Sequence, residues 1–146
     1  MILHNTEISI PGGSTKMSTI VSEFTLDEKT IVTGFDIKRK KNIDCEVAST
    51  RKSSSKDLLY IGVSTDEHLL VTLDHKIYVP SEKTYIRADK LGKGFDLQHV
   101  LSEPCIVTDL HMIRNNDIET TYALTVTDCE NYFSNSILVH NCKDMK

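Results

Sequence analysis

Apolar and polar residues alternate with period two through nearly every ordered-looking stretch of this 146-residue chain, and those stretches are rich in Ile, Val, Thr and Tyr. Successive side chains of an extended strand point to opposite faces, and β-branched and aromatic residues suit a half-buried pleated surface, so the pattern predicts an all-β fold. Strands are expected at residues 6–10, ahead of the turn Pro11-Gly12-Gly13, and at 30–38, 58–63, 69–79, 105–113, 122–126 and 137–139. The pair 58–63 and 69–79 reads as a hairpin across the polar turn Ser64-Thr65-Asp66-Glu67. Residues 18–24 fit either a short helix or a strand, and 87–91 fit one helical turn ended by Gly92 and Gly94. The Lys-, Arg-, Ser- and Asp-rich stretch 38–57 reads as a solvated loop or hairpin tip, and Arg114-Asn115-Asn116-Asp117 as a turn. Residues 60–67 and 122–128 are distantly alike, each a strand entering a polar turn, which hints at a duplicated β unit.

Composition narrows the function classes. The length suits one domain that buries roughly two-thirds of its unfolded surface, enough for a core without disulfide staples. Seventeen Lys and Arg against twenty-one Asp and Glu give a net charge of -4, and the one dense basic cluster, Lys38-Arg39-Lys40-Lys41, is short. Nucleic acid is therefore not an expected partner. No apolar run approaches the ~18 to 20 residues of a membrane-spanning helix, and Met1-Ile2-Leu3-His4-Asn5 does not begin a signal peptide, so a cytoplasmic, monomeric protein without membrane contact is expected. Cys45, Cys105, Cys129 and Cys142 lie far apart with no C-x-x-C pair. They read as separate thiols in a reducing compartment, Cys105 as a small buried hydrophobe.

Two constellations carry chemistry. At the end of the chain, His140-Asn141-Cys142 places an imidazole, a carboxamide and a thiol in sequence. An Asn amide can attack its own backbone carbonyl, forming a succinimide and breaking the next peptide bond, and holding the two groups together lowers that barrier by several kcal/mol. His140 can donate a proton or polarise the carbonyl, and Cys142 can accept an acyl group. The other constellation is Thr72 and His75 in Val71-Thr72-Leu73-Asp74-His75. A flat strand would put the two on opposite faces, so joint action requires a bend at Leu73-Asp74; there they could hydrogen-bond a strained peptide bond and stabilise its oxyanion.

In this order and near these distances, the chain resembles an intein, the protein-splicing member of the Hint family. Met1-Ile2-Leu3-His4-Asn5-Thr6-Glu7-Ile8 fits the intein opening with Thr6 and Ile8 in place, and Thr72 and His75 match its Thr-x-x-His strand. Ala88, Leu91 and Gly94 match a later pattern, and Leu124-Thr125-Val126, Asn131-Tyr132-Phe133 and residues 136–142 match the close. The resemblance implies a Hint-fold horseshoe of pseudo-twofold β units with the termini at one site. It also implies a splicing domain of residues 1–141, and 142–146 as the start of the flanking extein, itself the only partner implied. No cofactor or metal is implied. Only ~40 residues separate the His75 region from the close, too few for a homing endonuclease domain, so the resemblance is to a mini-intein.

The chain departs from that pattern at the first residue. Inteins usually begin with a Cys or Ser that attacks the preceding carbonyl; Met1, a thioether, has no proton to lose. An initiator or engineered Met, direct attack by Cys142, and an internal thiol, for which Cys129 is the candidate, are the competing explanations. Inteins that use an internal Cys also carry a Trp near Thr-x-x-His, and this chain has none. In the closing block Ala123 stands near the usual Asp and Glu130 near the usual His; Glu130 could serve as a base or hold a water. A Hedgehog-type Hint autoprocessing domain is an alternative, though it would not need His140-Asn141-Cys142. A non-catalytic metal-binding β-module using His140, Cys142, Cys129 and Glu130 is another.

Overall fold

The computed structural model describes residues 1–141, apart from the side chains of residues 115–117. Five strands form one antiparallel sheet: β1 (Ile2–Leu3), β4 (Ile31–Asp36), β5 (Lys41–Val63), β6 (His68–Val71) and β9 (Val107–Val126), in the order β4-β5-β6-β1-β9. Because β9 also pairs with β5, the pairings among β5, β6, β1 and β9 close on themselves. The second sheet has the order β3-β2-β10-β11-β7-β8, with β2 (Glu7–Ile10), β3 (Gly13–Lys16), β7 (Lys76–Val79), β8 (Thr84–Arg87), β10 (Asn131–Ser134) and β11 (Ile137–His140).

Residues 17–23 resolve as a helix, α1 (Met17–Glu23). Its apolar residues recur at helical spacing, and Met17 and Ile20 enter the core. No side chain caps its start. Instead the amides of Met17 and Ser18 donate to the carbonyls of Thr6 and His4, so the link between β1 and β2 satisfies donors the helix cannot satisfy itself.

Two expectations from polar composition are corrected. The stretch 38–57 is a hairpin tip only at residues 38–40: from Lys41 β5 continues through it, paired first with β4 and then with β9 from Val47↔Val126 to Ser55↔Glu119. Its polar side chains face solvent while the ladders satisfy its backbone, so composition reported exposure rather than conformation. Likewise β9 runs unbroken through 114–117, where a turn was expected. The register passes from Ser55↔Glu119 to Asp57↔Arg114, so a bulge absorbs the extra residues of β9. The two stretches that look alike in sequence, 60–67 and 122–128, begin in the last residues of the paired long strands β5 and β9 and run on past their ends.

The main core joins both sheets, with Ile2, Ile61, Leu69, Val71, Ile77, Leu124, Tyr132 and Val139 at or near zero exposure. A smaller cluster of Phe35, Tyr78, Phe133 and Leu138 lies beside it, the two Phe rings edge to face at 6.3 Å. Truncating a buried ring such as Phe133 to Ala typically costs about 3–5 kcal/mol.

Candidate active site

Three of the places where the chain passes between sheets are short: from β1 to β2, from β6 to β7 and from β9 to β10. Thr72 and His75 frame the second of these; Cys129 and Glu130 end the third. The bend expected at Leu73-Asp74 is a turn closed by the His75 amide donating to the Thr72 carbonyl at 3.1 Å. It brings together two side chains that a flat strand would separate.

Both side chains meet the start of the chain. The Met1 amine donates to Thr72 Oγ1 at 2.8 Å and to His75 Nδ1 at 2.7 Å, while the Thr72 amide donates to the Met1 carbonyl at 2.9 Å. Pairing of Ile2 with Val71 and with Tyr122 holds this segment between β6 and β9. The amine has only donors, so Nδ1 is the acceptor and the ring proton sits on Nε2. That Nε2 is buried without a partner among the described residues, an arrangement that ordinarily costs about 1–3 kcal/mol. His75 is held well below the usual imidazole pKa, first by burial, then by the charges of the amine and of His140. It is a neutral imidazole at physiological pH.

At the other end, the Asn141 amide donates to the Glu130 carbonyl at 2.9 Å, and its carboxamide Nδ2 donates to the Val126 carbonyl at 3.0 Å. Asn141 Oδ1 is buried and unpartnered among the described residues. His140 Nδ1 lies 2.7 Å from the Asn141 carbonyl oxygen, which can only accept, so Nδ1 is the donor. Its Nε2 faces the Glu130 carboxylate at 3.9 Å, a long and largely exposed pairing. Pairing of Val139 with Ile77 lays β11 along β7, and continuing that register brings residue 141 alongside residue 75. Met1, Thr72, His75, Glu130, His140 and Asn141 thus gather at one edge of the two sheets. Cys142 lies outside the described residues.

The expectation of separate thiols is corrected for one pair. Cys45 and Cys129 form a disulfide across 84 positions of sequence, tying the link before β10 to β5. Gly34 lies against both sulfurs, and a Cβ there would collide with them. Bonded sulfur has no thiolate to offer, so Cys129 is not a free internal nucleophile in this structure, and the metal-binding alternative loses one of its ligands. Spacing gave no sign of this bond, because the two cysteines meet only through the packing of β4 and β5 on β10. Cys105 is free and buried, as expected.

Two contributors, Thr121 and Tyr85, escaped the sequence reading, and a third, Asn131, entered it only as part of the closing pattern. The Thr121 hydroxyl, fully buried, donates to the Met1 sulfur at 3.5 Å. It lies two residues before Ala123 on the same strand face, where a polar residue flanking an apolar one was the only signal. Ala123 itself is buried, with an apolar side chain. Tyr85 packs edge-on against the His140 ring with centroids 4.5 Å apart. Fully buried Asn131 accepts the Phe35 amide at 2.8 Å and donates to the Phe35 carbonyl and to the Tyr85 hydroxyl, each at 3.0 Å.

The chain matches no protein-family model and no curated protein sequence. Solved structures do match over nearly the whole length. A bacterial intein-like domain from Clostridium thermocellum superposes with a TM-score of 0.82 at 21% identity, covering 96% of this chain and 97% of that one. A variant of the Ssp DnaB mini-intein gives 0.82 at 15% identity, covering 99% and 94%. The PabCDC21-1 intein gives 0.79 at 19% identity, covering 97% and 98%. With two antiparallel sheets, a pair of long strands running the length of one of them, and this likeness over nearly the whole length, the chain has the all-β Hint fold of the mini-inteins.

Proposed function

We propose that this chain is a protein-splicing domain comprising residues 1–141, with residues 142–146 beginning the downstream flanking segment. The observation that carries the reading is the meeting of residues 1 and 141 across one site, each backbone addressed by a histidine. Acyl transfer between two junctions needs their reacting atoms within a few Å, and the gathering of both junctions supports it.

At the upstream junction, the nitrogen that is an amine here would be the amide nitrogen of the bond to be broken in a precursor. Thr72 Oγ1 and His75 Nδ1 already address that nitrogen. Neutral His75 supplies proton transfer there and Thr72 orients the bond. Met1 cannot open the reaction, because its sulfur carries no proton and forms no stable acyl intermediate. At the downstream junction, the Val126 carbonyl accepts a hydrogen bond from the Asn141 carboxamide, which orients Nδ2 and adds to its electron density. Nδ2 then attacks the Asn141 carbonyl carbon while His140 Nδ1–H stabilises the developing oxyanion. Collapse breaks the bond to Cys142 and leaves a succinimide; the proton that Nδ2 gives up on ring closure balances the one the Cys142 nitrogen takes as it leaves. Glu130 steadies the charged form of His140 from 3.9 Å. In a precursor with a competent first residue, Cys142 accepts the acyl group before this step.

With Met1 in place, the activity left is slow cleavage between Asn141 and Cys142. Intact mass after long incubation with chelator and without reductant should reveal a minor product ending at Asn141 or its succinimide. Asn141→Ala should reduce that product at least ~100-fold. Equal cleavage in the Asn141→Ala chain would assign the cut to ordinary proteolysis and overturn the reading.

A further inference from the structure

We infer that His75 also works at the downstream junction: its Nε2–H is the donor that holds Asn141 Oδ1, directly or through one water, and so positions the Asn141 carboxamide. This rests on the splicing reading of that junction. Both atoms are buried and without a partner among the described residues, in side chains of residues only 6% and 7% exposed. One is a donor and the other an acceptor. Leaving both unpaired in the interior is costly, so complementary groups that stand within reach are expected to serve each other. The ladder puts them there. Val139 of β11 pairs with Ile77 of β7 in antiparallel register, and carrying that register one residue beyond each strand sets Asn141 opposite His75. Paired residues, and residues two apart on one strand, share a face. Val139 and Ile77 both enter the main core, so His75 and Asn141 stand side by side on its rim.

Each side chain is fixed from its other end. His75 Nδ1 accepts from the Met1 amine at 2.7 Å, and a half-turn of the imidazole would put a carbon against that amine, so the upstream contact sets where Nε2–H lies. Burial, first, and the charges of the amine and of His140 keep the ring neutral, with one acceptor and one donor. Asn141 Nδ2 donates to the Val126 carbonyl at 3.0 Å. A half-turn of the carboxamide would set Oδ1 against that carbonyl and the amide protons against Nε2–H, two repulsions at once. Val126 and His75 together therefore admit one orientation of the nucleophile. The donor also stabilises the charge that Oδ1 gathers as Nδ2 gives up its proton on ring closure. One imidazole thereby meets both junctions, accepting at the upstream nitrogen and donating at the downstream side chain.

The test uses the chain through Lys146, in which Met1 closes the upstream reaction, so a change in Asn141 cleavage is not inherited from that end. Intact mass follows the cleavage, and NMR of the histidine rings follows His75 Nε2–H. His75→Leu should slow cleavage after Asn141 roughly 3-fold to 10-fold, the loss of one orienting hydrogen bond. His75→Gln, whose amide nitrogen donates from a similar reach, should stand closer to the parent. In the Asn141→Ala chain the Nε2–H signal should move upfield and exchange faster with water, while Nδ1, which faces Met1, keeps its shift. An unmoved Nε2–H in folded Asn141→Ala overturns the inference. So does a folded His75→Leu chain that cleaves at the parental rate, or a His75→Gln chain slowed as much as His75→Leu. Should the His75 variants not fold, the Nε2–H signal decides by itself. If the parent makes no Asn141-dependent product, the splicing reading fails, and the same signal still decides whether His75 holds Asn141.

Discussion

The upstream and downstream ends of the site are built from opposite materials. Around Met1, strand pairing does most of the holding: Ile2 pairs on both sides, Thr121 is fully buried beneath the sulfur, and the tight turn between β6 and β7 brings up Thr72 and a buried, neutral His75. Around Asn141, the contacts come from the end of β9, which offers the Val126 carbonyl, and from the irregular link to β10, which offers the Glu130 carbonyl and, toward His140, the Glu130 carboxylate. Asp128 and Glu130 both take the left-handed backbone region, at φ of 67° and 58°, which L residues adopt at some cost. The first end is therefore anchored by pairing to two strands of one sheet. The second depends on whatever holds that link, and the Cys45–Cys129 disulfide and the Asn131 clamp are what hold it.

The sharpest way to break this comparison is to make both junctions active and disable one histidine at a time. In a precursor with an upstream segment and Met1→Cys, His75→Ala should cut thiol-dependent upstream cleavage roughly 100-fold or more, the general acid-base contribution. His140→Ala should instead fall mainly on release after Asn141, by a comparable factor. Equal losses at both junctions for either variant would mean the two ends are not separate machines.

A smaller effect is expected from the disulfide. Closing a loop of this length stabilises typically by about 2–4 kcal/mol, so Cys129→Ser should lower the unfolding free energy in urea by that amount. Reducing the parent should reproduce it. Release at Asn141 should slow in the reduced chain while upstream cleavage, measured as above, changes less. A reduced chain with an unchanged urea midpoint would show that the link holds itself.

Smallest is the pH response of the upstream end. His75 binds no proton in the folded state near neutrality, whereas the unfolded imidazole takes one below about pH 6.5. The unfolded chain then holds more protons, so stability rises with pH in that window and is lost on acidification, by at most ~1.4 kcal/mol per pH unit. Glu67 acts in the same sense at lower pH. Burial raises its pKa, but hydrogen bonds from Thr65 and Ser136 and the charge and hydrogen bond of His99 together hold it below the usual value. Its contribution is lost as pH falls through that lowered pKa. Urea midpoints between pH 7 and 5 should decline in the parent and flatten in His75→Leu; a parallel decline would shift the effect to other groups.

Much of this site was legible before any fold was known. The period-two pattern located most strands, and the Thr72-to-His75 spacing demanded the bend that the structure contains. Where polar composition was read as loop, at 41–57 and 114–117, it misled, because a two-stranded ribbon leaves polar side chains in solvent while most of its backbone is paired in the ladder. Tyr85 and Thr121 carried no local mark, since an aromatic and a β-branched residue in a strand are what any strand contains.

By itself, then, the sequence determined which segments extend, which face each strand buries, and which residues are chemically able to act: alternation sets the faces, and side-chain chemistry excludes Met1 as a nucleophile while leaving Asn141 competent. Tertiary structure alone decided which of them meet. The Cys45–Cys129 bond, the Asn131 clamp on Phe35 and Tyr85, and the hydroxyl beneath Met1 join positions 84, 96, 46 and 120 residues apart. Contacts at such separations arise from how two sheets close on each other, and short-range patterning carries no information about that.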